Sequence, residues 1–197
     1  MSNAPYHHGD LRTAMIEKAI EVINSQGVNS LSLRKLAAAC GVSHAAPYSH
    51  FTNKEDLFSA ISNHVTDKFV DVLKESLNGF GESPEGLRSM GCAYVMFFVR
   101  NPQYFTFIFN HANIQINFSK NPSGYEPFNL YKNTMLRLFD EIDYPQELQT
   151  KTIITTWAFV HGLASIAIMP GTGSIVEWEE RTYDLLSKSY FLGGSQC

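Results

Sequence analysis

At 197 residues, with 44% hydrophobic and 17% charged side chains, the chain can bury a sizeable core of its own, which excludes a largely disordered protein. The net charge of −4 excludes a chain that coats nucleic acid with its whole surface. The charge is uneven, however: four Lys/Arg face three Asp/Glu in the first 50 residues, and eleven face sixteen in the remainder, so polyanion contact at the N-terminal end alone is compatible with it.

Helical periodicity recurs along the chain, and strand signals are nearly absent, so an all-α fold is expected. Leu11, Met15, Ile16, Ala19, Ile20 and Ile23 make one apolar stripe. Asp10 is placed to cap its start, and Gly27 stands where a left-handed residue ends a helix. Ser32 caps a short helix from about 33 to 40, with Leu33, Leu36, Ala37 and Cys40 on its buried face. Gly41 then supplies a positive φ, Val42 points inward, and Ser43 caps a third helix that ends near Phe51. Asn53 caps a long helix over 54–78, with Glu55 and Asp56 in its first turn.

Residues 79–86, GFGESPEG, break the pattern. Beyond them the spacing predicts helices at about 85–100, 102–110, 125–142, 146–169 and 176–192. The loop 111–124 is long for a compact domain, as functional or mobile loops often are. From Thr152 to Val176 there is no Asp, Glu, Lys or Arg. His161, Gly162 and Pro170 interrupt that stretch, so a helix buried on all sides is preferred to a bilayer span.

The three cysteines, Cys40, Cys92 and Cys197, form no CxxC pair, so neither a zinc site nor a disulfide framework is expected. The His7–His8 pair lacks further ligands and reads as a flexible arm rather than a metal site. No cofactor is expected. The first residues lack the apolar run of a leader peptide, and with reduced thiols this makes a cytoplasmic location the expectation.

The densest signal is SLRKLAAACGVSHAAPYSHFTNKEDL at 32–57. A small Ala37, a glycine turn at Gly41, an inward Val42 and a short following helix have the grammar of a helix-turn-helix. In order and spacing, the motif resembles the TetR family of transcriptional regulators. The resemblance covers residues 6–58 at motif level, and the whole chain in helix count and length. It implies a DNA-binding domain at 1–55 and a helical ligand-binding and dimerisation domain at 56–197.

The resemblance further implies a positioning helix at 33–40, a recognition helix at 44–50, and phosphate contacts from Tyr48, His50 and Lys54. Arg34, Ser43, His44, Ala45 and Ser49 complete the expected DNA-contacting set. Pro47 removes an early helical hydrogen bond, so the first turn is expected to be distorted or to start a residue or two later.

The region 92–139 is dense in aromatic residues and Met. These line adaptable pockets or fill a helical core. Tyr94, Phe98, Phe105, Phe128 and Trp157 are the expected ligand contacts. Trp157 and His161 are four apart and share a helical face. With Gly162 they resemble the WHG-type C-terminal domain of one TetR-like branch. His161 is either a ligand contact or a satisfied core histidine. Ala158, Gly162 and Ser165 are small at helical spacing and suit a close two-fold helix contact.

The expected function is therefore a homodimeric repressor, released from palindromic double-stranded operator DNA by an apolar or aromatic small-molecule effector. A regulator of the same fold controlled by a protein partner is the alternative. An enzyme is not expected: His64, Cys92, His111 and His161 sit in no nucleophile or metal motif.

Overall fold

The structure is a computed structural model that describes residues 8–118 and 121–187, with side chains from residue 11 onward. His7, Cys197 and the end of the last predicted helix (188–192) lie outside the described residues, as does the side chain of His8. All regular structure among the described residues is helical. Eight α-helices follow in order: α1 (His8–Gln26), α2 (Leu33–Ala39), α3 (Lys54–Glu75), α4 (Pro84–Arg100), α5 (Pro102–Asn110), α6 (Glu126–Glu141), α7 (Gln146–Ala167) and α8 (Ile175–Ser187). Short 3₁₀ turns occupy Val28–Ser30 and Ala46–Ser49. None of the helices is long and apolar enough to cross a membrane.

Local chemistry sets most of the boundaries. Helix α1 is already helical at His8, so Asp10 falls in its first turn and not at its cap. Gly27 ends the helix at φ 83°, donating to Ile23 O at 2.8 Å. Ser32 accepts from Lys35 N at 3.2 Å and so caps α2. The other end of α2 closes as a Schellman motif: Gly41 N donates to Ala38 O at 3.2 Å, and Val42 N to Ala37 O at 3.0 Å. Gly41 has the required φ of 66°. Cys40, expected on the buried face, is only half-buried because it sits at the C-cap, where the chain turns away.

Asn53 Oδ1 accepts from Asp56 N at 2.7 Å at the start of α3, while Asp56 Oδ2 accepts from the Thr52 amide at 2.8 Å and its hydroxyl at 3.1 Å. These bonds favour the ionised carboxylate and hold Asp56 below its usual range. Ser83 caps α4 by accepting from Gly86 N at 3.0 Å, with Pro84 in the first turn.

At 43–51 the start is shifted by two residues, as Pro47 leads one to expect, but the helix type differs. The third helix is a 3₁₀ turn over Ala46–Ser49, not an α-helix over 44–50, and no side chain caps it, so Ser43 does not act as an N-cap. Pro47 has no amide hydrogen, so an i→i−4 bond from it cannot form. The neighbours use tighter bonds instead: Ala46 N to Ser43 O at 3.0 Å, Tyr48 N to Ala45 O at 3.1 Å and His50 N to Pro47 O at 3.0 Å.

The described residues divide into two compact units. The first runs through Val65 and adds Gln103–Asn113; the second comprises Thr66–Pro102 and the chain from Ile114. The dividing point lies ten residues past the expected 55/56 boundary, inside the continuous helix α3. The core of the first unit contains Met15, Ile16, Ile20, Leu36, Phe51, Leu57, Ile61 and Phe107, and α2 packs on both α1 and the 3₁₀ turn. Helix α5 joins it through Tyr104, whose hydroxyl donates to Glu17 Oε1 at 2.6 Å; His64 Nε2 reaches the same oxygen at 2.7 Å.

In the second unit α4 packs on α6, α7 and α8. Phe69 stacks on Phe97 at 4.7 Å and meets Phe98 at 4.8 Å, at the centre of an aromatic core. The loop after α5 is held from α6 by Lys132. This side chain is 2% exposed, and its Nζ donates to Asn117 O at 3.1 Å and Asn121 O at 2.6 Å.

Gly86 offers a direct test of the second unit. A Cβ built there would lie 2.0 Å from the main-chain oxygen of Gly81, too close for any real contact. Gly86→Ala is expected to destabilise the protein by about 1–3 kcal/mol, because backbone must move. In thermal melts this is a fall of roughly 2–12 °C. An unchanged melting temperature would contradict the close approach.

Candidate functional site

The side chains expected at DNA all belong to the first unit. Arg34, Ser43, His44, Ala45, Tyr48 and Ser49 are exposed or half-exposed on its surface, whereas His50 and Lys54 are half-buried. Tyr48 is 59% exposed, and among the described residues of its unit it is the one large hydrophobic side chain left in water. Buried Pro47 and Phe51 anchor the turn from which it projects. Ser49 turns its hydroxyl back to Ala46 O at 2.7 Å. Arg34 stands in the first turn of α2, which packs against that same turn. The set thus combines a guanidinium, a phenol, an imidazole and small side chains, the chemistry that docks on phosphates and lets backbone approach base edges.

Lys54 is less free than its sequence position suggests. Its ammonium donates to Val28 O at 3.0 Å and lies 5.6 Å from the centre of the Phe58 ring. An ammonium has three donors, so one internal bond leaves capacity for a phosphate.

The second unit holds an apolar slot between α3, α4, α6 and α7. Leu73 closes it from α3, and Leu87, Met90, Gly91 and Tyr94 line it from α4. Tyr125, Pro127, Phe128 and Tyr131 come from α6 and the residue before it, and Trp157 and Val160 from α7. The slot is narrow, with a cavity volume of only about 20 Å³. That admits roughly one water, so a larger occupant must part the walls.

Of the five expected ligand contacts, Tyr94, Phe128 and Trp157 line the slot; His161 does not. Trp157 meets Phe128 edge-on at 5.9 Å and stacks on His161 at 4.8 Å with 12° between the rings. His161 stands behind Tyr94 and Trp157; its Nδ1 is 2.9 Å from the Tyr94 hydroxyl. Burial lowers the His161 pKa, so the imidazole is neutral at pH 7, and burial raises the Tyr94 and Tyr131 phenols, which stay protonated. Phe98 is fully buried between Phe69 and Phe97 and fills core instead of lining the slot. Phe105 belongs to the first unit, where its ring packs on Phe109 at 4.7 Å. Aromatic density alone could not separate these two from the slot residues.

The expectation missed Leu87, Met90 and Gly91, although they share with Tyr94 the three- and four-residue spacing of one helical face. It also missed Pro127 and Tyr131 flanking Phe128, and Val160 three after Trp157.

The small residues expected at a two-fold contact lie on one side of α7. Ala158, Gly162 and Ser165 all keep part of their surface in water. Exposed Leu148, Ile154, Ile166 and Met169 accompany them, and α8 exposes Val176 and Tyr183. His64 is bonded to Glu17 and His161 to Tyr94, the His111 ring lies 6.3 Å from that of Phe107, and burial raises the Cys92 thiol pKa. No cluster of three or more potential metal ligands occurs among the described residues.

Comparison with known proteins agrees with this geometry. Residues 15–61 match the family of bacterial regulatory proteins, tetR family, and residues 87–188 match the tetracyclin repressor-like C-terminal domain. The regulator AcrR of Shigella flexneri is 42% identical over 52 residues, covering 26% of this chain and 24% of AcrR. UidR of Escherichia coli K12 is 26% identical over 116 residues, covering 52% of this chain and 59% of UidR. These matches thus span from about a quarter to three-fifths of the curated relatives' length.

A TetR/AcrR-family regulator from Thermobifida fusca superposes with a TM-score of 0.58 at 25% identity, covering 92% of this chain and 98% of that one. The fatty acid degradation regulator FadR from Bacillus halodurans shares the fold, with a TM-score of 0.67 at 17% identity over 96% of this chain and 98% of its own. With both of its regions matched, and the C-terminal match alone spanning more than half of its length, the chain belongs to the TetR family of DNA-binding transcriptional regulators.

Proposed function

We propose that the protein is a homodimeric repressor that leaves a pseudo-palindromic operator when an apolar small molecule enters the slot of its second unit. The carrying observation is the slot itself: an aromatic-walled space on four helices, one of which, α3, begins at Lys54 and ends at Leu73's side of the slot. A packed helix moves as a unit, so parting the slot walls acts on α3 along its whole length. The exposed apolar and small residues on α7 and α8 support an isologous contact through those helices. Trp157, stacked on His161, with Gly162 supports the WHG-type affiliation as part of the same reading. A family of regulators implies work on chromosomal DNA, in the cytoplasm.

The alternative, a regulator controlled by a protein partner, has one observation on its side: the slot's cavity volume is only about 20 Å³.

Selection from random DNA by the purified protein tests the reading. It should yield inverted half-sites about 34–36 Å apart, or a modest multiple of one turn. Enrichment of single, unpaired half-sites would contradict the dimer.

On the selected site, Arg34, Ser43, His44, Ala45, Tyr48, Ser49, His50 and Lys54 form the proposed contact set. Lys54→Ala is expected to weaken binding about equally across site variants and to reduce the salt slope by about one unit. Since Lys54 also bonds Val28 O, a thermal melt of the variant separates lost contact from lost fold. Wild-type affinity and slope would remove Lys54 from the interface.

A further inference from the structure

The slot has a chemical bias beyond being apolar: none of its eleven lining residues carries a charge. We infer that its effector is an uncharged, flat aromatic molecule with a hydrogen-bonding group, which it turns to the Tyr94–His161 pair. This rests on the slot being an effector site.

A carboxylate or ammonium entering the slot would lose its hydration and meet no counter-charge on the walls, a cost that apolar contact does not offset. The phenol of Tyr131 is already engaged, donating to Ile153 O at 2.8 Å and bonded to Thr156 Oγ1. Tyr94 is different, because its bond to His161 Nδ1 can run either way. If the hydroxyl donates to Nδ1, its oxygen is left to accept from a ligand O–H or N–H. In the other tautomer the Nδ1–H donates, and the hydroxyl hydrogen is left for a ligand carbonyl. The pair therefore serves a neutral donor or a neutral acceptor without any change of charge. Around it the Trp157 and Phe128 rings, perpendicular to each other, offer a face and an edge, which suits a flat aromatic guest. Met90 and Leu87, which line the slot from α4, can change rotamer to admit it.

The test uses the full-length protein and three probes of one shape: 2-naphthamide, 2-naphthoate and 2-naphthylmethylammonium, titrated by calorimetry at pH 7.5, with naphthalene as a fourth. The amide is expected to bind at least about a hundredfold more tightly than either ion. Tyr94→Phe is expected to weaken the amide about tenfold and to leave naphthalene unchanged. An ion that binds as tightly as the amide overturns the inference, and so does failure of both neutral probes to bind at their solubility limits. The ion-against-amide comparison stands on the wild-type protein even if Tyr94→Phe does not fold. Operator release is measured separately: a bound amide that leaves operator affinity unchanged sinks the inducer reading and not the ligand class, whereas an ion that binds and releases operator does the reverse.

Discussion

Replacing Ile166 by Glu is expected to split the proposed dimer and to lower affinity for a two-half-site operator by about 10²–10⁴-fold. Ile166 is 48% exposed and lies on α7 with Ile154, Ala158 and Gly162 at four-residue spacing. A stripe with two β-branched side chains and two small ones lets a second helix approach closely. In an isologous contact each substitution occurs twice, so two carboxylates would be desolvated near one axis and repel each other. The loss at the operator follows from geometry: the second half-site no longer binds as an intramolecular event. Light scattering should report a monomer, and a single half-site should be bound as well as by the wild type. An Ile166→Glu variant that remains dimeric with unchanged operator affinity would remove this face from the assembly.

Glu17→Ala is expected to be a strongly damaging polar change within the first unit. One carboxylate oxygen on α1 accepts from Tyr104 on α5 and from His64 on α3, so three helices meet at one atom. The alanine leaves both donors facing a gap, at about 1–3 kcal/mol each where burial is complete. The Glu17 side chain is 33% exposed, so water recovers part of this. A total of about 2–4 kcal/mol is expected. That corresponds to a melting temperature lower by roughly 4–16 °C. Glu17→Gln keeps an acceptor oxygen and should recover a large part of the loss. A melt of Glu17→Ala within about 2 °C of wild type would show that the three-helix bond is not structural.

The helix-turn-helix was legible because its determinants are local. Ser32, Gly41, Val42, Asn53 and Asp56 each act within about four or five residues of their own position, and the structure finds their caps and turn in place. The recognition segment failed as an α-helix for an equally local reason, the missing amide hydrogen of Pro47. What periodicity could not reveal is which helix faces which. Nothing near Glu17 in sequence announces Tyr104, 87 positions on, nor does anything near Lys132 announce the carbonyls of Asn117 and Asn121. Phe105 and Tyr94 look alike in composition, yet they belong to different compact units because the chain between them passes Pro102 and joins the first unit. Fewer of the slot residues were legible: Tyr94, Phe128 and Trp157 stand out as large rings, whereas Leu87 and Val160 are distinguished only by the face they share with them.

If the slot controls DNA binding, slot and operator are thermodynamically linked, and the affinity of one effector should be measured with and without saturating operator DNA. Linkage requires that a tenfold loss of operator affinity on effector binding, about 1.4 kcal/mol of coupling, be matched by a tenfold weaker effector affinity on the operator-bound protein. That reciprocal shift, tenfold or larger, is the expected result, with a negative heat-capacity change as apolar surface is buried. Equal effector affinities for free and operator-bound protein would contradict the linkage and leave control by a protein partner as the better explanation.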